Sequence, residues 1–140
     1  MTRGKTIEEL KLGESASVTK TITEADVFAF ADITGDHNPV HVDEEFAKTT
    51  PFQTRIAHGM LVGSLFSTIL GTTLPGNGSI YLGQELKFVH PVRLNDTITA
   101  TVTVIEKIME KNRVKLETNA YNQEGRLVIT GIATIMPTKA

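Results

Sequence analysis

Apolar residues recur at every second position through much of the chain's second half. Over Thr97 to Glu106, Ile98, Ala100, Val102 and Val104 alternate with threonines, and over Arg113 to Tyr121, Val114, Leu116 and Ala120 keep the same period. A period of two marks a strand with one face buried. Leu127 to Met136 and, upstream, Ser79 to Val89 read as further strands, so the second half is expected to form a meander of antiparallel strands. The connection Asn122-Gln123-Glu124-Gly125 puts glycine where a short hairpin loop needs a positive φ.

The first half follows a different rhythm. After an extended stretch from Ser15 to Thr21, Thr23 is placed to cap a helix whose third position is Asp26. Val27, Phe28, Phe30 and Ala31 would form its apolar side, and Gly35 would end it. From Asp36 to Ala57 no period is sustained. Pro39, Pro51 and several turn formers make this an irregular stretch of the length that functional loops have, with one possible helical turn over Asp43 to Lys48. His58 to Leu70 then reads as a helix with Met60, Leu61, Val62, Leu65, Phe66, Ile69 and Leu70 around almost its whole girth, which belongs inside a protein. Gly59, Gly63 and Ser67 fall four apart and share one stripe, where the backbone can approach a sheet or a ligand closely. One buried helix and a run of long antiparallel strands predict an α+β layout with the sheet wrapped around the helix.

Length and composition narrow this picture. At 140 residues the chain suffices for one hydrophobic core, and no repeat, linker or low-complexity run divides it, so residues 1–140 read as a single domain. The 14 Lys and Arg against 16 Asp and Glu leave a net charge of −2 and no basic block to follow a phosphate backbone, which argues against nucleic acid as a partner. The absence of cysteine excludes disulfides, thiolate metal sites and cysteine nucleophiles. The opening MTRGKTIEELKLGE has no apolar core of the secretory kind. Gly59 to Leu74, the most apolar stretch, is too short and too polar to span a bilayer. A cytoplasmic protein with no membrane partner is expected.

The densest titratable cluster is Gly35-Asp36-His37-Asn38-Pro39-Val40-His41-Val42-Asp43. Pro39 stiffens the turn between Asp36 and His41 and is placed to hold both toward one cavity. A carboxylate and an imidazole held together bind a water and pass protons near neutral pH, since histidine's ordinary pKa is ~6.5. Asp and Asn in such a loop also serve simply to bond its own backbone, and the local motif leaves both readings open. A second feature is Ile56-Ala57-His58-Gly59-Met60 before the buried helix. Open N–H groups at a helix start, next to a glycine, suit an approaching acyl carbonyl, and equally a glycine packed on a strand.

The motif Asp36-x-Asn38-Pro39-x-His41, with His58-Gly59-Met60 opening a hydrophobic helix, resembles the MaoC-like hydratases of the hot-dog fold. The likeness is greatest to the short, single-domain (R)-specific enoyl-CoA hydratases that feed polyhydroxyalkanoate synthesis. It runs on through Gly59-Met60-Leu61-x-x-Ser64-Leu65-Phe66-Ser67 and Leu74-Pro75-Gly76-x-Gly78-Ser79-Ile80-Tyr81-Leu82-Gly83-Gln84. The resemblance implies a homodimer with sheets joined edge to edge and active sites at the interface, acting on an enoyl-CoA or 3-hydroxyacyl-CoA without a cofactor. It also implies that Asp36 and His41 hold the catalytic water, that the N–H of Gly59 meets the thioester oxygen, and that Ser67 lines the site. Asn38 is expected to brace the loop or the pair.

The other polar candidates read as structural. His37 is expected at the surface, His58 to order its loop by hydrogen bonding, and His90-Pro91 to form a turn. A metal on Asp36, His37, His41 and Asp43 would need side chains from both sides of an extended stretch to converge, so none is expected. Lys48, Arg55, Lys87 and Arg93 are the cations that coenzyme A phosphates would meet, and none is assigned. The competing functions are a hot-dog thioesterase, a dehydratase of acyl carrier protein thioesters, and a non-catalytic acyl-binding module. The paired Asp36 and His41 favour hydration, because a mere binding pocket gains little from two ionisable groups.

Overall fold

Strand β1 (Ser15–Thr21) leads into α1 (Glu24–Thr34), whose start is fixed by a reciprocal capping box: the Asp26 N–H donates to Thr23 Oγ1 at 3.1 Å, and the Thr23 N–H donates to Asp26 Oδ2 at 2.9 Å. Gly35 stops the helix at φ +82°, donating its N–H to the Ala31 carbonyl at 2.8 Å. The computed structural model describes residues 2–140. Only Val27 and Ala31 of α1 are buried, whereas Phe28 is half-exposed. The helix lies at the rim of the core, where a single i, i+4 line meets the interior, so the expected apolar side is narrower than the sequence suggested.

Two single-turn helices follow, α2 (Pro39–Val42) and α3 (Glu44–Ala47), then α4 (Gly59–Thr72), β2 (Ile80–Phe88), β3 (Thr97–Ile108), a 3-10 turn (Met109–Lys111), β4 (Arg113–Tyr121) and β5 (Leu127–Met136). Helix α2, absent from the sequence expectation, begins with proline at its first turn, where the missing N–H costs nothing, and Asn38 Oδ1 accepts from the Val40 N–H. In α4, Val62, Leu65, Phe66, Ile69 and Leu70 are buried, each contributing roughly 1.5–3 kcal/mol by leaving water. Met60 departs from that pattern at 61% exposure, because the first turn of α4 extends to the rim.

The five strands form one antiparallel sheet in the order β1-β3-β4-β5-β2. The alternation in β3 is realised fully: Ile98, Ala100, Val102 and Val104 are buried against α4 while their neighbours face outward. Register shifts in β3/β4, β4/β5 and β2/β5 bend the sheet, as bulges do, and let it curl about the helix. The Asn122 to Gly125 connection forms the expected hairpin, with Gly125 at φ +76°.

The meander holds only for β3, β4 and β5. Strand β2 does not pair with β3; it lies beside β5, and β3 takes β1 on its other side. The segment between β2 and β3 is too long for a tight hairpin and contains Pro91, so it crosses the end of the sheet and makes a bridge from Arg93 to Ile56. Gly131 makes the β2/β5 pairing possible, since a Cβ there would stand 1.8 Å from the Glu85 carbonyl oxygen. Strand β2 is an edge, and with Val89 just beyond it exposes Ile80, Tyr81, Leu82 and Phe88. Among the described residues no helix is long and apolar enough to cross a membrane.

Candidate active site

The Asp36–His41 segment is shaped by its own side chains. Asp36 Oδ1 accepts from the Asn38 N–H at 3.2 Å, and Asn38 caps α2, so two short-range bonds turn the chain and the first turn of α2 carries His41 inward. Asn38 therefore braces the loop rather than reaching into it. Asp36 remains exposed, while His41 is 9% exposed. His37 points away, exposed and 3.0 Å from Asp32, which raises its pKa.

Segment 55–58 closes over His41. The Nδ1–H of His41 donates to the Ile56 carbonyl at 2.7 Å, which leaves Nε2 of the neutral ring with its lone pair free. Burial pushes the His41 pKa below its ordinary value. The bond to Ile56 opposes this, a charge on His58 would add to it, and Asp36 opposes it. His58 is 2% exposed and stacks on His41 with ring centroids 3.9 Å apart and planes 30° from parallel. Its Nε2–H donates to the Asp36 carbonyl at 3.0 Å, whereas its buried Nδ1 has no hydrogen-bond partner. One polar atom from each of Asp36, His41 and His58 lies within 4.8 Å of the others. This trio differs from the Asp36, His37, His41 and Asp43 set weighed as a metal site.

His58 is also the N-cap of α4 and gives no side-chain bond to it, so the first N–H groups of the helix stay open. The stripe predicted along α4 faces β2. A Cβ on Gly59 would stand 2.6 Å from the Phe88 ring and one on Gly63 3.2 Å from Leu86. Gly59 thus permits a close helix–strand approach and at the same time lines a cavity of about 390 Å³ with His41, Val62, Phe88, Val92 and Ile129. Ser67 lies elsewhere, in a neighbouring cavity of about 660 Å³ between α4 and β2. Met60 and Phe88 border both cavities. His41 and Gly59 therefore share one cavity, Asp36 stands near His41, and Ser67 is set apart within this chain.

Sequence reasoning missed the Ile56 carbonyl, the stack of His58 on His41, and the placing of Phe88 and His90 in the cavity wall. The glycine stripe was a usable signal that a strand packs there, though not for which strand. Of the four cations considered for phosphate, Arg55 is committed: it bonds Glu24 at 2.6 Å and Glu44 at 3.4 Å, tying α1 and α3 to the segment that holds His41.

A single buried helix wrapped by a five-stranded antiparallel sheet defines the hot-dog class of fold. Residues 9–125 match the family described as MaoC like domain, and the chain belongs to that family. It is 52% identical to an (R)-specific enoyl-CoA hydratase of Rhodospirillum rubrum over 92% of this chain and 89% of that protein. Its structure is similar to that of the unliganded R-hydratase PhaJ1 from Pseudomonas aeruginosa, with TM-score 0.92 and 46% identity over 98% of this chain and 88% of that one. It is likewise similar to an (R)-hydratase from Aeromonas caviae involved in PHA biosynthesis, with TM-score 0.90 and 45% identity over 93% of this chain and 98% of that one.

Proposed function

We propose that this chain is an (R)-specific enoyl-CoA hydratase, a hydro-lyase that reversibly adds water to a trans-2-enoyl-CoA to give the (R)-3-hydroxyacyl-CoA. The observation that supports it best is the approach of Asp36 to His41 within 4.8 Å beside an apolar cavity and an open helix start. A water that donates to two acceptors at ~2.8 Å holds them about 4.5 Å apart. An ionised Asp36 and a neutral His41 with its lone pair on Nε2 are both acceptors, so together they take both protons of that water and leave its oxygen lone pair free to attack C3. One proton passes from the water to the pair, and the pair delivers one to C2. Oxygen adds at C3, hydrogen at C2, and no other reactant is consumed.

As C3 is attacked, charge builds on the thioester oxygen. The N–H of Gly59 at the positive end of α4 is the donor for it, in a cavity whose apolar wall strengthens the interaction. Ser67 lines the adjoining cavity and joins the site when the acyl chain extends past Phe88. In this reading two copies pair through the free edge of β2, and its exposed apolar side chains supply the contact.

Incubation with crotonyl-CoA tests the reaction directly: the enoyl absorbance is expected to fall with no release of free thiol, and chiral analysis to give the R product. Thiol release in step with that loss would make the protein a thioesterase, and an S product would overturn the stereochemistry. A mass in solution equal to one chain would remove the dimer.

A further inference from the structure

We propose that His58 is a positioning residue which locks the loop bearing Asp36 onto the ring of His41, an inference that rests on the hydratase reading of that pair. Residues 32–39 are all exposed, and the hydrogen bonds that shape their turn are local: Gly35 to Ala31, Asp36 to Thr34, His37 to Gly35 and to Asp32, and Asn38 to Asp36. Among the described residues, the bond from His58 Nε2 to the Asp36 carbonyl is the one hydrogen bond that joins residues 35–38 to a residue more than five positions away in sequence. The same imidazole lies 3.9 Å from His41, centroid to centroid, and packs against Phe30 of α1 at 4.8 Å. One side chain thus touches the backbone of one member of the pair and the ring of the other.

The identity of the residue matters at this spot. His58 Nδ1 is buried without a hydrogen-bond partner, a costly arrangement that a hydrocarbon side chain of similar size would avoid. What the imidazole supplies in return is a donor at the reach of Nε2 together with a flat face for His41. Donation through Nε2, with no acceptor at Nδ1, places the donated proton on Nε2. Its contacts with the pair are the Asp36 carbonyl and the His41 ring, and through these it acts on the reaction. A displacement of about 1 Å in a group of this kind lowers turnover on the order of 10²-fold.

Two variants separate donor from stack. H58F keeps a flat ring and loses the donor; H58Q keeps an N–H at the reach of Nε2 and loses the ring. Measured with crotonyl-CoA per folded molecule, H58F is expected to lower kcat on the order of 10²-fold with KM changed less than about threefold, and H58Q to recover about tenfold of that loss. D36N is run alongside. Wild-type turnover in D36N would sink the role of Asp36 itself, whereas an inactive D36N with a fully active H58F would overturn only the positioning role. H58Q no better than H58F would also overturn it and leave packing alone. Should either variant fold poorly, 15N spectra of the wild-type histidines decide: His58 is expected as the Nε2–H tautomer, and an Nδ1–H tautomer would leave no donor facing Asp36 and end the proposal.

Discussion

The rim segment from Gly35 to His58 and the interior built from α4 and β3 to β5 are made on opposite principles. The interior is apolar, and contacts between residues distant in sequence hold it: Phe66, Leu116, Ile135 and Val102 are all nearly inaccessible. In the rim, polar side chains bond their own backbone within a few residues, as at Asp36, Asn38 and Asp43, and much of the segment faces solvent. The two meet at few points, chiefly where the His58 carbonyl accepts from the Leu61 and Val62 N–H groups at the start of α4, and in the cavity that His41 shares with Val62 and Ile129. Stability is therefore concentrated in one region and the proposed proton transfer in the other, so most substitutions should damage one property and spare the other.

The largest effects should fall on chemistry alone. Asp36→Asn and His41→Ala are each expected to lower turnover by a factor on the order of 10² to 10⁴ while far-ultraviolet dichroism and melting stay close to wild type, since each removes one proton-transfer partner. Near wild-type hydration by either variant would place the chemistry outside the rim. Phe66→Ala should do the reverse, costing roughly 3–5 kcal/mol in denaturant unfolding, with turnover per folded molecule preserved. Proportionate loss of turnover in the folded fraction would show that the interior tunes the site directly.

Gly59→Val tests the joint between the regions. Its side chain would collide with the Phe88 ring, so a stability loss of roughly 1–3 kcal/mol is expected, together with a fall in turnover per folded molecule of about 10². Full activity in the folded fraction would assign Gly59 to packing. Thr23→Ala removes one half of the capping box at the end of α1 remote from Asp36. A loss of about 1 kcal/mol in thermal unfolding is expected, without change in kcat.

The smallest effect concerns protons. Burial lowers the His41 pKa, so its NMR titration midpoint is expected below the ordinary ~6.5, and the acid limb of kcat/KM with it. In Asp36→Asn the midpoint should drop further, because the Asp36 charge opposes the shift. The stability linked to the neutral ring is complete above the unfolded-chain value of ~6.5 and is lost as pH falls toward the lower folded value, where the unfolded chain binds the proton more readily. A midpoint above ~6.5 would mean that the Ile56 bond and the Asp36 charge together outweigh burial.

Local rules made much of this legible beforehand. The capping box at Thr23, the stop at Gly35, the alternation through β3 and β4 and the hairpin at Gly125 are each decided by a few neighbouring residues, and each was read from them. The partner of β2 was not. Nothing within Ile80–Phe88 specifies β5 over β3, because the choice depends on a crossing loop and on a glycine at position 131 that lets another strand come close. The exposure of Met60 was missed for a similar reason: its neighbours along α4 are apolar, but the sheet ends beside it.

By itself the sequence determined which residue types were available to the site and where the chain would turn, since helix caps, strand period and turn bonds act over a handful of positions. It put Asp36 and His41 on one stiffened loop and Gly59 at the start of the buried helix. Only the tertiary structure decided that His41 would be buried with Nδ1 committed to Ile56, that His58 would stack on it and bond Asp36, and that Ser67 would line a separate cavity beyond Phe88. Those are contacts between segments up to tens of residues apart. They are fixed when the helix and sheet close on each other, by the shape of the core rather than by any local preference.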